Sequence, residues 1–343
     1  MEVGLKNLLT RKEFLVIAAF FFLLVCLFYF TFFTPNYYKG KSPVQFEITE
    51  GESFSNVVDS LYEKGIIPNK TNMKIAGFIY GAEKKVRAAK FSIPNGLSYL
   101  DLIDLFINGK AEFKKTVFIR DGLSIRWLAY TLKRDANIDS AVFVNLAFNK
   151  NFVDSIGVNK VSLEGYLMPG TYEFYEQSSA LEVIEELYKN FGEFMNDTLQ
   201  KRAKSIGLTV HEVITLASII KGETSSAEEM PRISGVYHNR LHIGMLLQAD
   251  PTIQYLLKDG WRRLLHKDLR INSPYNTYRY AGLPPGPINN PGKNAILAAL
   301  YPEDNNYIYF VADGKGGHKF ASTYSQHLKN ANEYRKFLKS QSK

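Results

Sequence analysis

The N-terminal stretch FLVIAAFFFLLVCLFYFTFF, residues 14–33, carries no charged side chain over 20 positions. At the rise of an α-helix it would be roughly 30 Å long, which matches the hydrocarbon core of a bilayer. Three basic residues precede it and favour a cytoplasmic N-terminus. It ends without the small residues of a signal-peptide cleavage site. We therefore predict a cytoplasmic tail at 1–13, a retained transmembrane anchor at 14–34, and a remainder outside the cytoplasmic membrane.

Composition bounds what the remainder can be. The chain has 343 residues, 45% of them hydrophobic, which is enough for two folded domains and excludes a disordered chain. Cys26 is the only cysteine and lies inside the apolar stretch, so the exported part has neither a disulfide nor a cysteine nucleophile. The net charge of +8 suits an anionic neighbour such as a membrane surface or a wall polymer. No long Lys/Arg run is present, so we expect no nucleic-acid partner.

A short pattern recurs three times in the first half of the chain. Each copy has an apolar strand pattern, then Gly-x-Ser, then apolar residues at helical spacing; the copies begin at Phe46, Phe91 and Val117. Glycine permits the tight turn, and serine supplies an oxygen that can cap the following helix. The copies are unevenly spaced, which is not typical of a solenoid. We predict small strand–helix modules and a mixed α+β fold.

The first module extends over residues 44–116 and contains a second predicted helix at 69–81. A strand, two helices and a strand in this order resemble a LysM domain, the small βααβ fold that binds N-acetylglucosamine polymers. Residues 117–343 are then predicted as a separate α+β domain. Capping boxes at Ser179, Thr209 and Ser226 predict helix starts there, and 306–322 predicts a β-hairpin.

Glu164 lies in VSLEGYLMPGTYEF, residues 161–174, among apolar and aromatic neighbours. Burial disfavours the charged form of a carboxyl group and raises its pKa. The local pattern therefore fits an acid tuned for chemistry, and it also fits a surface carboxylate beside a turn.

Two further patterns suggest other chemistry. Ser218-Ile-Ile-Lys221 matches the S-x-x-K motif of serine acyl enzymes, but no K-[ST]-G accompanies it. His238 and His242 are four residues apart on a predicted helix and could share a metal. The position of the general base in a metalloprotease is occupied by Asn239, so two polar histidines on a helix face are the favoured interpretation.

The loop from 269 to 292 is rich in proline, glycine and polar aromatic residues. Proline and glycine stiffen a backbone that belongs to no helix or strand. Tyr275, Asn276, Thr277 and Tyr278 would then present rings, amides and hydroxyls from a rigid scaffold. This pattern fits a sugar-binding wall, and it also fits a structural loop.

Six motifs of a known family occur here in order: SLEGYLMPGTY (162–172), ASIIKGET (217–224), VYHNRLHIGMLLQADPT (236–252), LRINSPYNTYR (269–279), GLPPGPINNPG (282–292) and YIYFVADGKGGHKF (307–320). Together with the anchor and the LysM-like region they resemble the YceG-like family, the endolytic lytic transglycosylases of the bacterial envelope. The resemblance implies cleavage of the MurNAc–GlcNAc bond inside peptidoglycan strands, leaving 1,6-anhydroMurNAc ends, with no cofactor and no metal.

The resemblance makes Glu164 the catalytic carboxylate. One acid can suffice because the C6 hydroxyl of the sugar attacks, whereas ordinary glycosidases need a second carboxylate. It also supplies candidates for substrate contact: Glu223, Gln248, Asp250, Tyr275, Asn276, Thr277 and Tyr278. Lys221 departs from the family, which commonly has Glu at that position. Peptidoglycan synthases are the implied partners, and a noncatalytic wall-binding scaffold is the main alternative.

Overall fold

The computed structural model describes residues 10–158, 160–175, 178–257 and 262–341. The chain separates into two compact units, residues 1–114 and 115–343. Each unit has a hydrophobic core of its own. Residues 1–9, which form most of the predicted cytoplasmic tail, lie outside the described part of the chain.

The first unit begins with a long apolar helix, α1, at Arg11–Phe32. The Thr10 side chain accepts the backbone N–H of Glu13, and the Glu13 carboxylate bonds back to Thr10, so a capping box starts the helix. Its 22 residues are long and apolar enough to cross a membrane. Among the described residues, the helices Asp197–Ser205 and Val210–Glu223 would pass that test only if they were joined as one span across an 86° bend. The second of these helices is buried in a protein core.

The rest of the first unit is a three-stranded antiparallel sheet with helices. Its elements are β1 Val44–Ile48, α2 Phe54–Glu63, α3 Lys70–Tyr80, a 3-10 turn at Ala82–Lys84, β2 Ala89–Ile93, α4 Tyr99–Asn108 and β3 Ala111–Glu112. The strand order is β1-β2-β3, and Val44 pairs with Ile93. Gly51 and Gly96 have positive φ, and Ser53 and Ser98 cap α2 and α4. The predicted Gly-x-Ser turns are therefore confirmed at both places.

The second unit is mainly helical. Its elements are β4 Lys114–Ile119, α5 Ile125–Ala136, α6 Ser140–Phe148, α7 Lys150–Ser155, β5 Gly170–Tyr175, α8 Ala180–Phe194, α9 Asp197–Ser205, α10 Val210–Glu223, α11 Met230–His242, α12 Asp250–Leu256, a 3-10 turn at Asp268–Arg270, α13 Lys293–Leu300, β6 Tyr309–Ala312, β7 His318–Ala321 and α14 Tyr324–Gln341. Strands β4 and β5 form one small sheet, and β6 and β7 form the predicted hairpin. Together with the first unit this confirms a mixed α+β chain.

Helix α10 lies at the centre of the second unit. Every residue from Val213 to Ile220 is buried, and α9, α11, α12 and α13 pack around it. A fully buried aliphatic side chain contributes about 1.5–3 kcal/mol to folding, so the burial of this helix is a main source of stability for the second unit. The capping box at Thr209 starts it as predicted, and Ser179 starts α8 in the same way.

The capping box predicted at Ser226 is wrong. Helix α11 begins four residues later, at Met230, and its N-cap residue Glu229 makes no side-chain cap bond. The Glu229 carboxylate instead accepts the backbone N–H of His318 at 2.8 Å and pairs with the His318 ring at 2.9 Å. A contact with the distant β6–β7 hairpin has replaced the local cap.

Candidate active site

Glu164 sits in a tight loop between α7 and β5 and is only 3% exposed. Its neighbours Leu163, Tyr166 and Leu167 are buried in the same core. Gly165 has φ of +87°, and a Cβ there would lie 2.5 Å from the Pro287 side chain. A side chain at that position would therefore be strained and would also collide, so only glycine lets the loop close over Glu164.

The Glu164 carboxylate caps helix α5. Its Oε1 accepts the backbone N–H of Ile125, the first residue of that helix, at 2.9 Å. Ser124 occupies the N-cap position as predicted, but its side chain makes no cap bond. The oxygen that caps this helix therefore comes from a distant loop. A helix N-terminus favours a carboxylate by its unsatisfied N–H groups and its dipole.

Burial nevertheless dominates the proton affinity of Glu164. It raises the pKa from 4.5 to about 8, against the hydrogen bond from Ile125 and the positive charge of Arg126, which both lower it. The rise predicted from the apolar neighbours is confirmed. A carboxyl group with this pKa is largely protonated at neutral pH and can donate a proton.

Asn290 organises the surroundings of Glu164 and was missed by the sequence analysis. Its Oδ1 accepts the N–H groups of Gly165 at 2.9 Å and Leu167 at 3.1 Å. Its Nδ2 donates to the Leu123 carbonyl at 3.0 Å and lies 3.5 Å from Glu164 Oε1. One buried amide thus joins the Glu164 loop to the turn before α5. The only sequence signal was its place in the NNPG end of the proline-rich loop.

Glu223 is the last residue of α10 and is partly exposed. Its Oε1 accepts the hydroxyl of the buried Tyr237 on α11. Burial, with a smaller contribution from the charge of Asp250, raises its pKa from 4.5 to about 7, while Tyr237 and Arg240 lower it. At neutral pH this carboxyl group populates both protonation states, as a group that first gives and then takes a proton requires.

Arg240 supplies a buried positive charge beside Glu223. Its Nε donates to the Ile308 carbonyl at 2.7 Å and its Nη1 to the Leu247 carbonyl at 2.5 Å. Burial lowers the pKa of its guanidinium group. Because two carbonyls hold the side chain, the charge has a fixed place next to Glu223.

Three of the predicted substrate contacts, Asp250, Tyr275 and Tyr278, lie next to these acids. Asp250 is exposed and accepts the Tyr278 hydroxyl. Burial raises the pKa of Tyr278, and the hydrogen bond to Asp250 and the charges of Asp250 and Glu223 raise it further. The rings of Tyr275 and Tyr255 pack at a tilt, with centroids 5.2 Å apart. Burial raises the pKa of both tyrosines, and the charge of Glu164 raises it further. Gln248 is exposed, and its N–H donates to the Thr277 carbonyl at 3.1 Å.

Asn276 and Thr277 are buried and hold the loop together. The Asn276 side chain donates to the carbonyls of Leu269 and Ile271. Thr277 Oγ1 accepts the N–H of Ala249 at 2.9 Å. In this arrangement their polar atoms bond within the scaffold, whereas the neighbouring Tyr275 and Tyr278 are only partly buried.

In the two patterns that suggested other chemistry, S-x-x-K and the histidine pair, Ser218, Lys221 and His238 bond to other parts of the protein. Ser218 is fully buried; its hydroxyl donates to the Thr215 carbonyl at 2.7 Å and accepts the Ile288 N–H at 3.0 Å. Lys221 pairs with Asp121 at 3.0 Å. The Nε2 of His238 donates to the Ala299 carbonyl at 2.9 Å. Within the described ranges, no group of three or more His, Cys, Asp or Glu side chains could hold a metal ion.

Helix α12 and the 269–292 loop each place residues near both acids. Helix α12 contributes Asp250 beside Glu223 and Tyr255 near Glu164, and the 269–292 loop contributes Tyr278 and Tyr275 in the same two places. The close packing of Gly222 on Pro251 supports this, since a Cβ on Gly222 would lie 2.5 Å from the proline ring. Two carboxyl groups with raised pKa, lined by tyrosines and a buried arginine, are equipped for acid–base chemistry on a hydroxyl-rich ligand.

The fold and the geometry define a class: an α+β protein whose described residues include one long apolar N-terminal helix and, in the second unit, two carboxyl groups of raised pKa, one of them at the end of a central helix. Comparison with known proteins makes this more specific. The YceG-like family matches residues 46–333, and the chain belongs to that family.

Several relatives are documented. An endolytic murein transglycosylase of Bacillus subtilis is 30% identical over 311 residues, covering 86% of each chain. The Streptococcus pneumoniae serotype 2 protein of that name is 27% identical over 337 residues, covering 86% of this chain and 59% of its own length. A crystal structure of a yceG-like protein from Listeria monocytogenes superposes with a TM-score of 0.58 at 28% identity, covering 84% of this chain and 99% of that one.

Proposed function

We propose that this protein is an endolytic murein transglycosylase, a lyase that cuts peptidoglycan glycan strands internally. The similarity over most of the chain to the Bacillus subtilis endolytic murein transglycosylase carries this proposal. The bond cleaved is the MurNAc–GlcNAc linkage of nascent strands, and the product ends in 1,6-anhydroMurNAc. Cutting near the membrane limits strand length.

The reaction needs one group that first gives and then takes a proton. The acid protonates the oxygen that leaves with GlcNAc as the bond to the anomeric carbon breaks. The C6 hydroxyl oxygen of MurNAc forms the new bond to that carbon, and its proton passes to the carboxylate. No water is consumed, so no second carboxylate has to activate one, in contrast to ordinary glycosidases.

Two carboxyl groups compete for this role, and we assign it to Glu223. A catalytic acid must reach the glycosidic oxygen, and Glu223 is partly exposed beside the exposed Asp250. Its pKa of about 7 suits both proton transfers. Arg240 and the hydroxyl of Tyr237 would stabilise its carboxylate form while the leaving sugar departs.

Glu164, which the sequence analysis assigned, is the alternative acid. Its pKa of about 8 keeps it protonated at neutral pH, which favours proton donation. Its Oε1 is committed to the start of α5, and the residue is 3% exposed. On this geometry Glu164 acts as a positioning group that holds the α5 turn.

Mass spectrometry of products from purified nascent glycan strands tests the assignment. We expect the wild type and the exposed control Glu333→Gln to release internal fragments with 1,6-anhydroMurNAc ends. Glu223→Gln should bind strands but lose cleavage by at least about 100-fold, the usual contribution of a general acid. Glu164→Gln should keep measurable cleavage.

Other results would change the proposal. Loss in Glu164→Gln with activity retained in Glu223→Gln would make Glu164 the acid. Reducing ends would mean hydrolysis. Strands that bind the wild type and are never cut would support a noncatalytic wall-binding scaffold.

Further features belong to the same proposal. The order β1-α2-α3-β2 supports a LysM-like module over residues 44–116 that binds glycan, with the catalytic domain at 117–343. The N-terminus lies in the cytoplasm, and residues after the anchor face the wall. Peptidoglycan synthases are the expected partners because they make the nascent strand at the same surface.

A further inference from the structure

The segment that follows α1 is bonded to the body of the first unit. Phe32, the last residue of α1, is buried in the core of that unit, and so is Tyr38. The Asn36 N–H donates to the Leu97 carbonyl at 2.9 Å, and the Tyr38 N–H donates to Asn95 Oδ1 at 2.9 Å. These contacts pin residues 36–38 to the β2–α4 turn. The membrane helix therefore enters the unit without a free linker.

Helix α3 presents an apolar face to solvent. Phe78 is 80% exposed, Ile79 is 54% exposed and Ile75 is 45% exposed. Their spacing of three and four residues places them on one side of the helix. Met73 and Ala76 are buried on the other side. This exposed face of Ile75, Phe78 and Ile79 is called the α3 face below.

Close packing fixes which side of α3 faces outward. A Cβ on Gly77 would lie 2.1 Å from the Phe54 ring on α2, so the two helices touch where Gly77 has no side chain. Helix α3 cannot turn its apolar face inward without breaking this contact. Helix α3 also packs against α1. The exposed apolar face thus belongs to the helix that adjoins the membrane-spanning one.

We propose that the α3 face lies in the bilayer interface next to α1, so that the first unit rests on the membrane surface. The occupant is lipid because the face lies on the helix that packs against α1, whose length and composition suit the bilayer. Exposed aromatic residues of the same unit fit the headgroup level: Phe33, Tyr37 and Tyr80. Lys84 and Lys85 follow α3 directly and are exposed, which suits anionic headgroups.

Contact with a membrane explains why the apolar α3 face, which is unfavourable in water, is exposed on this unit. Three large apolar side chains on one helix face are a liability in water, and such faces mark interaction sites. A glycan ligand would require polar partners among these residues, and the α3 face offers only aliphatic and phenyl groups. With the 36–38 contacts and the α3 face both engaged, the unit is held at a fixed orientation on the bilayer.

The test uses the full-length chain in lipid nanodiscs that contain anionic lipid. Cys26→Ala removes the native thiol, and Phe78→Cys carries an environment-sensitive fluorophore. The matched control is Tyr62→Cys, an exposed aromatic position on α2. Lipids brominated in the upper acyl chain quench groups buried about 5–10 Å into the interface. We expect strong quenching and a blue-shifted emission at position 78 and little change at position 62. Unquenched emission at position 78 would overturn the proposal.

A second variant tests whether the label approaches the lipid because of the apolar side chains of the α3 face or only because the anchor is near. Ile75→Ser, Phe78→Ser and Ile79→Ser are combined with a label at Tyr80→Cys. All three serines replace exposed side chains, so the core is kept. We expect quenching at position 80 to be weaker in this variant than in the Tyr80→Cys protein that keeps Ile75, Phe78 and Ile79. Quenching that stays equal would show that the apolar side chains do not hold the unit on the lipid. The failure of this test leaves the cleavage assay unaffected, because none of these residues belongs to the second unit.

Discussion

Glu164 and Glu223 show how the same side chain acquires different properties from its surroundings. Glu164 is enclosed by apolar residues and accepts one backbone N–H, and its pKa rises to about 8. Glu223 meets a tyrosine hydroxyl and a buried arginine, which offset part of the effect of burial, and its pKa rises to about 7. Desolvation is the first cause for both residues, and the polar partners set the difference.

The pKa of Glu164 predicts a pH dependence of stability. The folded chain holds this proton more tightly than the unfolded chain, so the folded state loses stability as pH rises from about 4.5 to about 8. Below about pH 4.5 the stabilising contribution of this proton is fully present, and above about pH 8 it is lost completely. We expect Glu164→Gln to remove this loss, on the order of 3–5 kcal/mol.

Urea unfolding of the full-length chain in detergent at several pH values checks this. As the pH rises from 4.5 to 8, the unfolding free energy of the wild type should fall relative to that of Glu164→Gln. Parallel curves for the two proteins would contradict the raised pKa. Glu333→Gln, an exposed position, serves as the control.

Asn290 gives a second prediction for a single residue. Asn290→Ala leaves the N–H groups of Gly165 and Leu167 without their acceptor. A buried donor left without a partner costs about 1–3 kcal/mol, so we expect a loss of about 2–4 kcal/mol in unfolding free energy. Asn332→Ala, on the exposed face of α14, should change it by less than about 0.5 kcal/mol. An equal effect of the two substitutions would show that the Asn290 amide does not hold the Glu164 loop.

At the level of elements, the end of α10 is tied to the turn that starts α5. Lys221 is 10% exposed, and its Nζ lies 3.0 Å from Asp121 Oδ2. Its aliphatic stem packs on Gly122, where a Cβ would lie 3.1 Å from Cε. The Glu that the family commonly has at this position would place a carboxylate beside Asp121. The pairing therefore gives a reason for lysine in this chain.

A double-mutant cycle tests this contact. Lys221→Glu should destabilise the second unit, since two carboxylates then meet at a largely buried place. Adding Asp121→Lys should recover part of the loss, with a coupling energy of about 0.5–3 kcal/mol. Thermal unfolding of the four proteins measures the coupling. Purely additive effects would mean that the two side chains do not interact in solution.

Elements also show where sequence patterns succeed and fail. The capping boxes at Ser179 and Thr209 form because cap and helix lie within four residues of each other. At Ser226 the local pattern is equally clear, yet Glu229 bonds to His318, 89 residues away. A tertiary contact can outweigh a cap that contributes about 1 kcal/mol.

For the whole molecule, the anchor and the basic residues before it predict a single crossing with the N-terminus inside. In a Cys26→Ala background, we expect a membrane-impermeant maleimide to label Tyr62→Cys in intact cells whose wall admits the reagent. Thr10→Cys should react only after the cells are opened. Labelling of Thr10→Cys in intact cells would reverse the orientation.

The sequence by itself determined the features that depend on neighbours along the chain. The uncharged stretch determined the long apolar helix, and Gly-x-Ser determined the turns before α2 and α4. Only the tertiary structure decided how the site is assembled. Asn290 meets the loop of Glu164 across 126 residues, Tyr237 reaches Glu223 across a helix pair, and Lys221 finds Asp121. Such contacts depend on how helices pack, and packing is a property of the whole core that no short pattern encodes.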